Sequence, residues 1–136
     1  MNSNDFVILD KQEGGSVLVD MNKILIYYIG RKTDKICIDH IEDYSKSTSY
    51  FVTKNPYIIE NYLNKYPFIK LAIKDVDVII YVNINYIDFI DNSVKQKGEN
   101  FTSIDNLIYL KDGNILNVVE PLLKIKEKIQ KIIEEA

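Results

Sequence analysis

The sequence is poor in cysteine, arginine, glycine and proline, and these shortages exclude several classes of protein. One cysteine, Cys37, in 136 residues excludes an internal disulfide framework and a cysteine-rich zinc site. Arg31 is the single arginine among seventeen cationic residues. Bidentate recognition of phosphate or guanine, which arginine performs best, therefore has one candidate. Five glycines and three prolines leave few turn signals, so each one is informative.

Long apolar runs and an excess of positive charge are also missing. The longest apolar run, Val78-Ile79-Ile80-Tyr81-Val82, is far shorter than the roughly 18 residues of a membrane span. The first five residues lack the basic and apolar parts of a signal peptide. The formal net charge of −3 argues against a strongly basic nucleic-acid coat protein but allows a local basic patch. We therefore expect a soluble, cytoplasmic protein.

What remains is the composition of a globular protein. Hydrophobic residues make up 46% and charged residues 27% of the chain, and the length suits one domain over residues 1–136. Short runs rich in β-branched and aromatic residues predict strands, and the fold class is α+β and mostly β. The predicted strands are 6–9, 16–20, 24–29, 36–39, 49–53, 68–81, 86–90, 104–110 and 115–119. We predict polar loops at 30–35 and 92–100, and a hairpin turn at Asp112-Gly113.

Two helices are predicted among these strands. Asn55-Pro56 supplies an N-cap residue and a proline at the first helical position, which favours a short helix over 56–65. Glu120-Pro121 starts a second helix over about 121–135 in the same way. This second helix carries one apolar stripe and a basic face, and we interpret it as a docking helix with a solvated basic face. The stripe consists of Leu122, Ile125, Ile129, Ile132 and Ile133.

The two halves of the chain also resemble each other. The segment 18–24 (Leu-Val-Asp-Met-Asn-Lys-Ile) can be aligned with 81–87 (Tyr-Val-Asn-Ile-Asn-Tyr-Ile). Each copy is later followed by an Asn-Pro or Glu-Pro helix start. The alignment leaves two interpretations open: a repeat of a β-hairpin plus a helix, or chance matches, which are common in a chain so rich in isoleucine and asparagine.

No pattern of residues points to catalysis or metal binding. Cys37 and His40 are three apart on a predicted strand, so they face opposite sides and cannot form a local thiol–imidazole pair. Asp75 and Asp77 alternate with valine, as they would on a half-exposed strand. Glycine-rich phosphate loops, a GxSxG elbow and an HExxH motif are absent. We expect neither an enzyme nor a cofactor or metal site.

Cationic and amide side chains are the remaining candidates for binding. Cations cluster in two predicted loops, and two asparagines follow an apolar strand. Such groups suit phosphate contact and pairing with the edge of adenine. The candidate nucleic-acid-binding residues are Arg31, Lys32, Lys35, Asn83, Asn85, Lys95 and Lys97. We expect them to lie along one edge of the molecule.

The order of these segments over about residues 16–125 resembles the LytTR family, the mostly-β DNA-binding domains of many bacterial response regulators. Residues 24–29 are similar to the family's I-x-Y-I-E strand, and 58–63 to its L-x-x-L-E-x-x-L helix. Residues 66–70 are similar to its F-x-R segment, 81–90 to I-V-N-x-x-x-I-x-x-I, and 108–113 to v-x-L-x-D-G. The motifs are loose individually, and their order and spacing carry the resemblance.

The resemblance implies a transcriptional regulator that binds double-stranded DNA and lacks the usual receiver domain. Family members contact successive major grooves through loops and strand ends and often act as dimers. The implied contacts here are the loop of Arg31, Lys32 and Lys35, together with Asn83. Two departures stand out: residues 70–77 replace the family's H-R-S segment, and Glu120 replaces a basic contact. Each lost cation removes a counterion-release contribution to DNA affinity.

Two other interpretations fit the same residues. The acidic balance and Glu120 favour a protein-interaction module or inhibitor on a LytTR-like scaffold that does not bind DNA. A pleckstrin-homology-like module would also combine β-strands with a C-terminal amphipathic helix. That fold predicts a seven-stranded sheet capped by the last helix alone, with no place for a helix at 56–65.

Overall fold

The computed structural model describes the backbone of residues 5–30, 36–43, 46–52, 65–96 and 102–135, and the side chains of 5–28, 65–94 and 104–135. These residues form a mostly-β, α+β fold with one helix, α1 (Leu122–Glu135), and two 3₁₀ turns, Met21–Lys23 and Ile84–Tyr86. The ten described strands are β1 (Phe6–Asp10), β2 (Ser16–Asp20), β3 (Ile24–Gly30), β4 (Ile36–Asp43), β5 (Lys46–Val52), β6 (Phe68–Ala72), β7 (Val78–Asn83), β8 (Ile87–Gln96), β9 (Thr102–Leu110) and β10 (Ile115–Val118).

The strands form three antiparallel sheets. Strands β1 and β2 are a separate hairpin, β10-β9-β8 form a three-stranded sheet, and β5-β4-β3-β7-β6 form a five-stranded sheet. The five-stranded sheet joins the two halves of the chain, because β3 from the first half pairs with β7 from the second. An isolated bridge between Ile73 and Val118 connects the end of β6 to β10.

The resemblance between the halves extends to local structure. In each half a hairpin ends in an Asx residue, Asp20 or Asn83, whose side chain accepts a hydrogen bond from the backbone N–H two residues later. A 3₁₀ turn follows, and then a strand whose register shifts near its start, between Ile24 and Ile26 or between Ile87 and Phe89. Three consecutive matching features support the interpretation of the sequence as a repeat. In this repeat β1, β2 and β3 correspond to β6, β7 and β8.

Alternation of apolar side chains fixes which faces of the strands are buried. In the first hairpin Val7, Leu9 and Val19 point into a core with Tyr27 and Phe68. A larger core lies on the other face of the five-stranded sheet, which β9, β10 and α1 cover. Its fully buried side chains include Leu25, Ile26, Ile69, Leu71, Ile80, Val82, Ile108, Val118 and Ile125.

Helix α1 docks on this larger core through the middle of its apolar stripe. Ile125 is completely buried, and Ile129 and Ile132 pack against the core. Leu122 and Ile133, at the two ends of the predicted stripe, are exposed. The docking role of the helix is therefore confirmed for its central turns.

Hydrogen bonds from Glu120 and its neighbours close the outer edge of β6. Its carboxylate accepts hydrogen bonds from the backbone N–H of Ala72, at 3.0 and 3.2 Å, and lies 3.6 Å from the Nζ of Lys128. Lys128 in turn donates to the backbone carbonyl of Lys70, and Val119 N–H donates to the Ala72 carbonyl. Edge strands expose backbone groups that attract other strands, and Glu120 and Lys128 occupy those groups here.

The structure confirms most predicted strands and changes several details. Residues 92–96, predicted as loop, continue β8 because they pair with β9 as far as Thr102. Asp75 and Asp77 lie in the β6–β7 turn and not on a strand, and Asp75 has a left-handed φ of 65°. The Asp112-Gly113 turn is confirmed, with Gly113 at φ 94°. The predicted helix at 56–65 falls almost entirely outside the described residues.

The pleckstrin-homology-like interpretation predicted a single seven-stranded sheet. The described strands instead form sheets of two, three and five strands. The pairing of β3 with β7 is the reason, because it places strands from both halves of the repeat in one sheet.

Candidate functional site

The predicted binding residues divide into those the structure describes and those it does not. Arg31, Lys32, Lys35 and Lys97 lie outside the described residues. Lys95 is described by its backbone alone, opposite Ser103 near the end of β8. Asn83 and Asn85 are described with their side chains.

Asn83 is a structural residue and does not present its amide to a ligand. Its side chain is 1% exposed, and Nδ2 donates to the carbonyls of Asn22 and Ile24 at 3.3 and 3.1 Å. Its Oδ1 accepts from the N–H of Asn85 at 3.0 Å. Both polar atoms are thus used inside the protein, and pairing with a base would require breaking these bonds. This is a correction to the predicted role of Asn83.

Asn85 is exposed at the second 3₁₀ turn. It lines a cleft of about 520 Å³ between that turn and the last turns of α1, together with Tyr66, Ile84 and Ile132. The hydroxyl of Tyr66 donates to Asp5 at 2.6 Å. The cleft is lined by both apolar and polar groups, and Asn83 is not among its lining residues in the described part of the chain.

Asn83 and the point where the chain leaves β3 toward Arg31 lie at opposite ends of that strand. Asn83 contacts Ile24, the first residue of β3, whereas the segment containing Arg31 follows Gly30, the last residue of β3. Seven residues of extended strand separate these points by roughly 20 Å. Asn85 likewise precedes β8, whereas Lys95 lies close to its far end.

Acidic residues lie in the turn next to Gly30, the last residue of β3. Gly30 pairs with Val78, so the β6–β7 turn lies next to the end of β3. Asp75 and Asp77 are exposed in that turn. Carboxylates in this position would repel a phosphate backbone that approaches residues 31–35.

A different feature emerges when equivalent strands of the repeat are compared. Strands β3 and β7 pair with each other, but their equivalents β8 and β2 each have one edge with no strand partner among the described residues. Ile26 on β3 is completely buried, whereas the equivalent Phe89 on β8 is 53% exposed. Tyr81 on β7 packs against the smaller core, whereas the equivalent Leu18 on β2 is 61% exposed.

Other apolar side chains lie next to Phe89 and next to Leu18. Phe89 stacks on Tyr109, with ring centroids 4.2 Å apart and planes 14° from parallel, and Ile115 lies opposite Tyr109 on the next strand. Ile8 lies opposite Leu18 in the first hairpin and is also exposed. We call β2 and β8, with Leu18, Phe89 and these neighbours, the open edges.

The two Asx residues make different hydrogen bonds at the paired and the open edges. Asn83 joins the halves because its amide donates to Asn22 and Ile24. Asp20 occupies the equivalent position and is 8% exposed, and its carboxylate accepts from the N–H and Nδ2 of Asn22. A carboxylate cannot donate to backbone carbonyls, so Asp20 cannot make the reciprocal bonds to the start of β8.

Tyr86 ends the second 3₁₀ turn, and its side chain contacts the first turn near Asp20. Its hydroxyl donates to the carbonyl of Asn22 at 3.1 Å. Burial raises the pKa of Tyr86 above its ordinary value of 10.0, and the negative charge of Asp20 raises it further. The neutral phenol is thus the form that the folded protein favours.

The described residues contain neither a metal-binding cluster nor a membrane-spanning helix, and the chain has no match among known proteins. Among the described residues there is no group of three or more His, Cys, Asp or Glu side chains placed to hold a metal ion. Within the same residues no helix has both the length and the apolar character required to cross a bilayer. Comparison with models of protein families, with curated proteins and with solved structures finds no match to this chain.

Proposed function

We propose that this protein is a protein-interaction module that binds its partner through the open edges. The observation that carries the proposal is the contrast between equivalent residues: Ile26 is buried where β3 is paired, and Phe89 is exposed where β8 is not. Exposed strand edges bind extended segments by adding a strand, with backbone hydrogen bonds giving affinity and side-chain pockets giving specificity.

The energetics favour a partner at these edges. Covering the side chains of Phe89 and Leu18 would contribute roughly 1.5–3 kcal/mol each. The edge of β6 is closed by Glu120 and Lys128, whereas no such residue occupies β2 or β8 within the described part of the chain. Natural proteins protect long edges that have no binding role, so the difference in protection supports binding.

A pull-down with the purified chain tests this proposal. The wild-type protein should recover a stoichiometric protein partner after nuclease treatment, and Leu18→Ser or Phe89→Ser should abolish recovery. Val76→Ser is the matched control, because Val76 is equally exposed but lies in the β6–β7 turn. Equal recovery by all four proteins, or loss in Val76→Ser alone, would contradict a role for the open edges.

A LytTR-like DNA-binding transcriptional regulator is the second candidate. One observation favours it: the segments containing Arg31 and Lys97 connect β3 to β4 and β8 to β9, which are equivalent places in the repeat. Two cationic hairpin tips could contact phosphates at two places on a duplex. Asn83 has no part in this version of the interface, since its amide is already bonded.

Gel-shift assays with genomic fragments test the second candidate. If it is correct, affinity should fall steeply with salt, and Arg31→Ala with Lys32→Ala should weaken binding. Lys126→Ala with Lys131→Ala removes the same charge from exposed positions on α1 and serves as the control. Absence of retardation at low salt, or equal weakening by both pairs, would contradict DNA recognition by this segment.

A further inference from the structure

We infer that the partner at the open edges is a second copy of this chain, with β8 of one copy pairing antiparallel with β2 of the other. This inference rests on the proposed function and names its partner. Its basis is the repeat: β2 occupies the place of β7, and β8 occupies the place of β3. The chain therefore already contains, between β3 and β7, one complete example of the interface.

The internal example fixes the register between copies. Ile26 lies opposite Val82, and Ile29 lies opposite Ile79. The equivalent pairs between copies are Phe89 with Val19 and Asn92 with Ser16. In this register Phe89 of one copy lies beside Val19 of the other, as Ile26 lies beside Val82 inside the chain.

Every copy carries both open edges, so two copies can pair β2 with β8 twice. Each copy supplies one β2 and one β8, and a two-fold arrangement forms two identical seams that use both of these edges on each copy. The two edges of one chain are not hydrogen-bonded to each other. Asp20 at their junction lacks the amide donor through which Asn83 joins β7 to β3. Pairing of these edges, within one chain or between copies, lacks this anchor, so backbone hydrogen bonds and the side chains of Phe89 and Leu18 would hold the seam.

Cross-linking between two variants tests the register directly. In a Cys37→Ser background, chains carrying Ser16→Cys are mixed with chains carrying Asn92→Cys and oxidised. Both residues are exposed, and directly opposite residues of antiparallel strands are close enough for a disulfide. We expect a disulfide-linked dimer from this mixture. Asp10→Cys mixed with Asn92→Cys is the control and should not cross-link, because Asp10 lies one strand further away, opposite Ser16.

Light scattering of the untagged chain measures the assembly itself. A dimer mass is expected for the wild type, and Phe89→Ser should raise the dissociation constant roughly tenfold to a hundredfold, while Val76→Ser should not. A monomer at every concentration overturns the inference. So does an intrachain disulfide in the Ser16→Cys/Asn92→Cys double variant at monomer mass, because the edges would then close within one chain. A monomer that still recovers another protein through Leu18 and Phe89 would overturn this inference and leave the proposed function intact.

Discussion

The two junctions between the halves of this molecule use equivalent strands and yet differ in outcome. Strands β3 and β7 form a continuous sheet with buried side chains, whereas β8 and β2 remain open with Phe89 and Leu18 exposed. The clearest chemical difference is one atom in an Asx residue, an amide nitrogen at Asn83 and a carboxylate oxygen at Asp20. A hydrogen-bond donor at one point can thus decide whether a repeat closes on itself.

The largest expected effect comes from removing the donor at the closed junction. Asn83→Ala leaves the carbonyls of Asn22 and Ile24 and the N–H of Asn85 without this partner, in a buried position. We expect the free energy of unfolding to fall by about 2–3 kcal/mol, as measured by urea denaturation. Asn85→Ala, at an exposed position, should change it by less than about 0.5 kcal/mol. Equal effects of the two variants would contradict the structural role of Asn83.

A second variant opens the edge that Glu120 closes. Glu120→Ala removes the acceptor for Ala72 N–H and the ionic partner of Lys128. We expect a loss of about 1–2 kcal/mol in the free energy of unfolding, since a partly buried hydrogen bond to a charged group is lost. Glu134→Ala, on the exposed end of α1, is the control. A Glu120→Ala protein as stable as wild type would show that the carboxylate does not hold this edge.

A third variant makes the open junction resemble the closed one. Asp20→Asn keeps the acceptor for Asn22 N–H and adds the donor that Asn83 has. We expect self-association to strengthen by about fivefold, corresponding to one additional hydrogen bond of about 1 kcal/mol. Sedimentation equilibrium would measure the change. Weaker association of Asp20→Asn would mean that the added donor joins β2 to β8 within one chain, as Asn83 joins β7 to β3.

The smallest expected effect concerns Tyr86, which connects the second 3₁₀ turn to the first. Because the pKa of Tyr86 is raised in the folded protein, its contribution to stability is fully present below about pH 10 and decreases as pH rises through the higher folded value. Tyr86→Phe should therefore lose less stability than wild type between pH 9.5 and pH 11. Urea denaturation at several pH values measures the difference. Parallel pH profiles of the two proteins would contradict a raised pKa.

Local patterns in the sequence were sufficient to predict most strands and the docking of the C-terminal helix. Alternation in residues 6–9 and 16–20, and the stripe around Ile125, reflect burial that each segment needs wherever it packs. The alignment of 18–24 with 81–87 also placed Asp20 opposite Asn83. Patterns of this kind depend on neighbours in sequence, so they survive without knowledge of the tertiary fold.

The candidate site was predicted less well, because the chemistry of an exposed residue depends on distant neighbours. Asn83 has the same side chain whether it faces DNA or binds Asn22 and Ile24 across the sheet. In the sequence Glu120 indicates only a lost basic contact, whereas in the structure its carboxylate contacts Ala72 N–H and Lys128. Nothing within a few residues of Phe89 indicates that its strand has an unpaired edge.

The sequence by itself determined the mostly-β class, the strands of both hairpins and the apolar face of α1, because each follows from periodicity and turn chemistry within short segments. Only the tertiary structure decided that β3 pairs with β7 while β2 and β8 stay open, and that Asn83 and Glu120 serve the fold. These outcomes depend on which backbone groups meet across the sheet, and residues some sixty positions apart along the chain supply them.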